Sequence, residues 1–171
     1  MKTHKSIRNM IIFAMLAAVM FAGKMVFEAL PNIHPVACLI MVYIVVYRKY
    51  ALIPIYLFVF IFGLFYGFST WWIPYLYIWT VLWVITMLLP QNMSAKVSMI
   101  VYPLVCCTFG LLYGTLYAPA QAILFGFDIK TTISWIISGL PFDFLHGVGN
   151  FAMGFLVYPL SKILKKLDSK I

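Results

Sequence analysis

From Tyr50 to Ala95 the chain carries no charged side chain, and no other feature of the sequence narrows its possible folds so far. A helix rises about 1.5 Å per residue, so crossing roughly 30 Å of hydrocarbon takes about 20 apolar residues. The uncharged stretch is about twice that length. FSTWWIP, at 68–74, supplies the turn, and two spans fit at 51–68 and 73–90. Composition extends the same conclusion to the whole chain: 65% of its residues are hydrophobic, 18% aromatic and 9% charged, with a mean hydropathy of +1.03. Soluble domains lie far from these values. The expectation is an all-α integral membrane protein folded as a single domain over 1–171, with no extramembrane domain.

Four further spans complete the reading. The first covers 6–30 and ends in ALPNIHP, where Pro31 and Pro35 each disfavour helix in the residue before them. It lacks a small-residue cleavage site and is read as a retained helix. The second is short, 35–47, and YRKY closes it. PQNMSAK forms a polar break, after which the uncharged run from Val97 to Phe127 holds the fifth span and a loop rich in Gly, Pro and Tyr. The last span begins near Thr131 and ends before KILKKLDSK. Six transmembrane helices place both termini on one side. Lys2, Lys5, Arg8, Arg48, Lys49, Lys96, Lys162, Lys165, Lys166 and Lys170 fall at that side's ends of the spans, leaving Lys24 and Lys130 near the other face. The positive-inside rule makes that side cytoplasmic. The net charge of +8 is explained by orientation and anionic headgroups, not by nucleic acid.

Chemistry concentrates in GLPFDFLHGVGN. At about 100° per residue Gly139, Asp143, His146, Gly147, Asn150 and Gly154 share one stripe of the last helix. A charged acid at a helix centre costs about 2.5–3.5 kcal/mol on insertion scales, so Asp143 is expected to face protein or a wet cavity. Two readings stay open: an internal polar pair that fixes packing, and a ligand pocket. Asp143 lies about 18 Å from the outer end of its span, or less where Pro141 opens the first turns. Near the outer ends of other spans lie Lys24 and Glu28, then Asn32 and His34, and Trp71, Trp72, Tyr75 and Tyr77. Rings with a few polar groups suit a heteroaromatic ligand, and an interfacial aromatic belt is the alternative.

Ala14, Ala18 and Ala22 recur every fourth residue on the first span, a smooth stripe that lets another helix approach. Partner docking and packing within the monomer both fit it. Cys38, Cys106 and Cys107 sit in apolar runs without metal-ligand spacing, so neither a disulfide nor a metal site is expected. A phosphate-binding glycine loop is missing, so any nucleotide energy has to come from another chain, and the lack of an internal repeat weighs against a self-sufficient inverted-repeat transporter.

Taken together, the chain length, the six spans, the A-x-x-x-A of the first span and LPFDFLHG in the last resemble the substrate-binding S components of energy-coupling factor (ECF) vitamin transporters. Riboflavin-type members carry P-F-N-x-x-K-G, whose Asn and Lys line the ligand site. By this resemblance Asp143 and His146 take those two places, and their different identities imply a ligand other than riboflavin. The resemblance further implies that Ala14 and Ala18 meet a transmembrane T component and that ALPNIHP acts as a lid. It implies a noncatalytic subunit of the bacterial cytoplasmic membrane, without a catalytic cofactor. Such a subunit captures a vitamin-like substrate outside, docks on the T component and two ATPases, and topples to release it inward. An intramembrane enzyme using Asp143 and His146 as an acid and base, and a small channel or scaffold, are the alternative readings.

Overall fold

A computed structural model describes residues 2–30 and 32–169, with side chains from Ile7 onward. Pro31, Lys170 and the side chains of Lys2 and Lys5, which entered the span and charge arguments, lie outside the described residues. Eight α-helices follow one another, and the described residues contain no strand. They are α1 (Lys2–Val26), α2 (Val36–Tyr47), α3 (Leu52–Tyr66), α4 (Tyr75–Leu88), α5 (Ala95–Leu111), α6 (Tyr113–Phe125), α7 (Ile129–Gly154) and α8 (Val157–Asp168).

By length and composition three stretches are apolar enough to cross a membrane: Ile7–Val26, Val36–Tyr66, which turns back on itself at Arg48–Ala51, and Ala95–Phe125. A fourth is formed by α7 and α8 together, bent by 48° between them. The periphery agrees with this, since Met15, Leu64, Ile100 and Phe144 point outward with 61–63% of their surface exposed. Large apolar side chains so exposed face lipid or a partner rather than water.

Side-chain contacts fix the direction of each helix. Tyr43 donates its hydroxyl to the Leu16 carbonyl at 2.9 Å and the Tyr47 ring packs on Phe13, so α2 runs antiparallel to α1. Arg48, at φ +53°, then opens a 3-10 turn over Arg48–Ala51 that reverses the chain. Phe62 returns to the level of Phe21, and Tyr66 to that of Met25 and Glu28, so α3 is parallel to α1. Gly67, at φ +86°, ends α3 in a conformation that a side chain would resist. α4 descends from Tyr75 beside Phe62 to Met87, whose carbonyl accepts the Arg48 guanidinium at 2.9 Å.

Ser94 caps α5 by accepting the Val97 N–H, as expected where PQNMSAK breaks the chain. The expected Gly/Pro/Tyr loop within 97–127 is not a loop. α5 and α6 meet at Leu112 and form one long ascending leg, which Gly126 closes in the left-handed conformation at φ +67°. Pro119 lies inside α6 without ending it, as happens in apolar helices whose neighbours restore the lost backbone pairing. Pro141 likewise sits within α7, so the first turns of that helix stay closed.

The tightest seam joins α5 and α6 to α7, antiparallel. A Cβ on Gly110 would lie 2.8 Å from the His146 and Gly147 backbone, and one on Gly154 would lie 2.5 Å from the Pro103 backbone. Glycine therefore sets the spacing of this pair, as small residues do where apolar helices pack without a hydrophobic driving force. Arg8, Arg48, Lys162 and Lys165 group at one end of the bundle. Arg8 pairs with Asp168 at 3.8 Å, Arg48 sits at the α2–α3 turn, and Lys162 and Lys165 line a pocket with the α4–α5 connection.

Candidate functional site

One face of α7 turns Asp143, His146, Gly147, Asn150 and Gly154 into the bundle, as helical periodicity predicts, whereas Gly139, expected on the same stripe, meets open space. The three polar side chains are 6%, 3% and 1% exposed, so none of them meets lipid. Their partners differ. Both Asp143 oxygens accept the Gly114 N–H, at 2.9 and 3.1 Å. The break at Leu112 leaves the first amides of α6 without helical partners, and a carboxylate at a helix N-terminus is the group that suits them. Asp143 thereby ties α7 to the α5–α6 junction, and a Cβ on Gly114 would lie 2.5 Å from Oδ2.

His146 and Asn150, one turn apart, are not satisfied in this way. The His146 Nε2 and both amide atoms of Asn150 are buried without a hydrogen-bond partner. His34 Nδ1, opposite them in the α1–α2 connection, is a fourth such atom. The His34 and His146 rings lie 5.2 Å apart, edge to face. Each unpaired polar atom costs about 1–3 kcal/mol of desolvation, so a cluster of four is a strong demand for complementary donors and acceptors.

Aromatic rings wall this cluster. From α3 inward, Phe62, Tyr75, Trp79, Tyr113, His146 and His34 form a continuous chain with centroid separations of 4.7–6.1 Å. Trp79 Nε1 is also buried and unpartnered. The connection between α1 and α2 covers the site from the end opposite the cation-rich one. Ile33 packs on Gly149, where an added Cβ would approach it to 3.1 Å. Asn32 holds φ +59°, a left-handed conformation that Asn tolerates better than most residues, and this turns the connection over α7. Burial, then the charges of Lys24 and His146, pushes His34 down to about 3, so it stays a neutral imidazole at physiological pH.

The expected site residues thus divide. His34 and His146 come together, with Asn150 one turn from His146 on the same buried face, Tyr75 reaching them through the ring chain and Asp143 one turn away but engaged by Gly114. Trp71 packs on Phe62 and Tyr75 at the edge of the ring chain. Trp72 points elsewhere, donating its indole N–H to the Val59 carbonyl at 2.9 Å. Glu28 accepts the Tyr66 hydroxyl at 2.6 Å on the exposed side of the connection. Asn32 donates its side-chain amide to the Phe142 carbonyl at 3.5 Å on the exposed side of the connection, away from the buried cluster. Tyr113 and Trp79 were not singled out from sequence. Both sit in uncharged runs, where an aromatic reads as lipid-facing, and the available signal was Gly110 and Gly114 flanking Tyr113.

Among the described residues no three His, Cys, Asp or Glu side chains are arranged to hold a metal ion. Ala14, Ala18 and Ala22 are exposed, whereas Ala17 and Met20 on the same helix are fully buried. Packing within the described chain therefore does not account for the small-residue stripe. In comparisons with protein-family models, curated proteins and solved structures, nothing matches this chain.

Proposed function

We propose that this protein is a six-span substrate-binding subunit of an ECF-type importer, capturing a vitamin-like small molecule from outside the bacterial cytoplasmic membrane. The carrying observation is the cluster of four buried, unpartnered polar atoms on His34, His146 and Asn150, walled by aromatic rings and covered by a short connection. Such a site offers a planar polar ligand both stacking surfaces and hydrogen bonds. Capture suits it better than catalysis, because the carboxylate needed for acid–base work with His146 is held by Gly114.

The alternating helix directions support a reading of six crossings, with α1, α2, α3, α4, α5–α6 and α7–α8 as the legs. The cation-rich end lies in the cytoplasm by the positive-inside rule, so the covered site lies toward the outside. Release then depends on partners: the exposed Ala14, Ala18 and Ala22 face meets a T component, and two ATPases supply the energy. ATP acts through the difference in affinity between docked and free states.

The test is affinity purification of the tagged chain from membranes of its source cells in mild detergent. Recovery of one further multi-span membrane protein with two nucleotide-hydrolysing chains supports the reading. A chain that is recovered alone, and whose cells show no ATP-dependent uptake attributable to it, contradicts it.

A further inference from the structure

A second pocket lies at the opposite end of the bundle, between α8, the start of α5 and the α4–α5 connection. Its volume is about 310 Å³, and Lys162, Lys165, Gln91, Asn92, Ser98 and Tyr102 are among its lining residues. Tyr158, Lys162 and Lys165, spaced four and three residues apart, form one edge of α8, so both ammonium groups border the same space. A third cation, Arg48, lines an adjoining cleft that shares Val45, Gln91 and Tyr102 with the pocket. No acid offsets them. The chain has four acidic side chains, and the one on α8, Asp168, pairs with Arg8 in a different cleft.

The rest of α8 indicates what the pocket faces. Val157 and Ser161 turn inward, whereas Ile163 and Leu167 are 55% and 52% exposed on the far side from the core. An amphipathic helix with exposed apolar groups beside lysines, at the end of a membrane-spanning bundle, lies where acyl chains meet headgroups. Uncompensated cations with amide and hydroxyl donors, in a pocket at that depth, match a phosphate oxyanion.

We propose that this pocket binds the phosphate group of an anionic phospholipid headgroup, with Lys162 and Lys165 as its principal cations. The site is separate from the His34–His146–Asn150 cluster and does not depend on what that cluster binds. It gives the protein a fixed lipid neighbour at its cation-rich end, a local anchor in the plane of the membrane.

The test is thermal unfolding of the full chain in neutral detergent, with short-chain phosphatidylglycerol, phosphatidylcholine or inorganic phosphate added. Phosphatidylglycerol at saturation is expected to raise Tm by about 4 °C or more, and phosphatidylcholine to leave it unchanged. Lys162→Gln with Lys165→Gln should abolish the shift, and Asn92→Asp, an acid on the exposed connection, should reduce it. Lys166→Gln, which removes one lysine of the same helix outside the pocket, should keep it. An equal shift in the double variant and in Lys166→Gln overturns the proposal in favour of general surface attraction. A shift with inorganic phosphate alone, lost in the double variant, overturns the lipid assignment and leaves a free-phosphate site.

Discussion

Asp143 accepts the Gly114 N–H with both carboxylate oxygens, at 2.9 and 3.1 Å, and so joins the middle of α7 to the junction of α5 and α6. This bond gives the acid a structural partner within the protein. Asp143→Ala is expected to lower stability by about 1.5–3 kcal/mol, the range for hydrogen bonds to charged groups. Gly114→Ala should also destabilise, because its Cβ would meet Oδ2 at 2.5 Å. The two changes should be strongly non-additive, since each removes the same contact. Thermal unfolding of both single variants and the double variant in detergent measures the coupling, and simple additivity contradicts the assignment.

Asn150 makes the opposite prediction. Its amide is buried with neither atom paired, so Asn150→Leu, with the same number and branching of heavy atoms, removes two unsatisfied groups. The ligand-free protein is expected to gain about 1 kcal/mol of stability while losing at least tenfold in ligand retention. A loss of stability with retention unchanged would show the amide to be a packing group.

The glycine seam between α5 and α7 should tolerate no side chain. Gly110→Ala and Gly154→Ala place Cβ atoms 2.8 and 2.5 Å from backbone of the facing helix. Overpacking of this kind costs about 1–3 kcal/mol and shifts the helices apart. The check is unfolding of each variant beside Gly139→Ala, whose Cβ meets nothing within 4 Å and should change little.

These contacts show where the sequence was legible. Turns at FSTWWIP and PQNMSAK, and the inward stripe of α7, were readable because Gly, Pro and charge punctuate apolar helices and period 3.6 fixes a face. The continuation of α5 into α6 was not, because Gly114 and Pro119 resemble loop residues until α7 is seen to pack on that leg and Asp143 to satisfy the Gly114 amide. Partner choice was equally hidden. Asp143 and Asn150 lie on one stripe with similar polarity, and only the facing helix decides that one is paired and the other is not.

His34 gives a pH dependence with a definite sign. Burial lowers its folded value to about 3, below the unfolded value near 6.5, so unfolding takes up a proton between those limits. The stability this group contributes is complete above about pH 6.5 and is lost as pH falls toward 3. Between pH 7 and 4.5 the loss from His34 is on the order of 2–3 kcal/mol. His34→Gln should flatten the stability profile in that window, measured by Tm at stepped pH. An unchanged profile would place the imidazole in contact with water.

The exposed Ala14, Ala18 and Ala22 face should matter for transport and not for capture. Ala14→Trp and Ala18→Trp add bulk where the described chain has no neighbour, so folding and ligand retention are expected to match wild type while uptake stops. Whole-cell uptake beside ligand retention by the purified variants checks this. Normal transport by both variants would remove this face from the docking interface.

The central claim is that the His34–His146–Asn150 cluster holds a small molecule. Native mass spectrometry of the detergent-purified chain, with no ligand added, addresses it most directly when wild type is compared with Asn150→Leu and His146→Ala. A single vitamin-like adduct on wild type, released by solvent and missing from both variants, is the predicted result. Bare wild-type protein, or the same adduct on all three chains, would contradict the account.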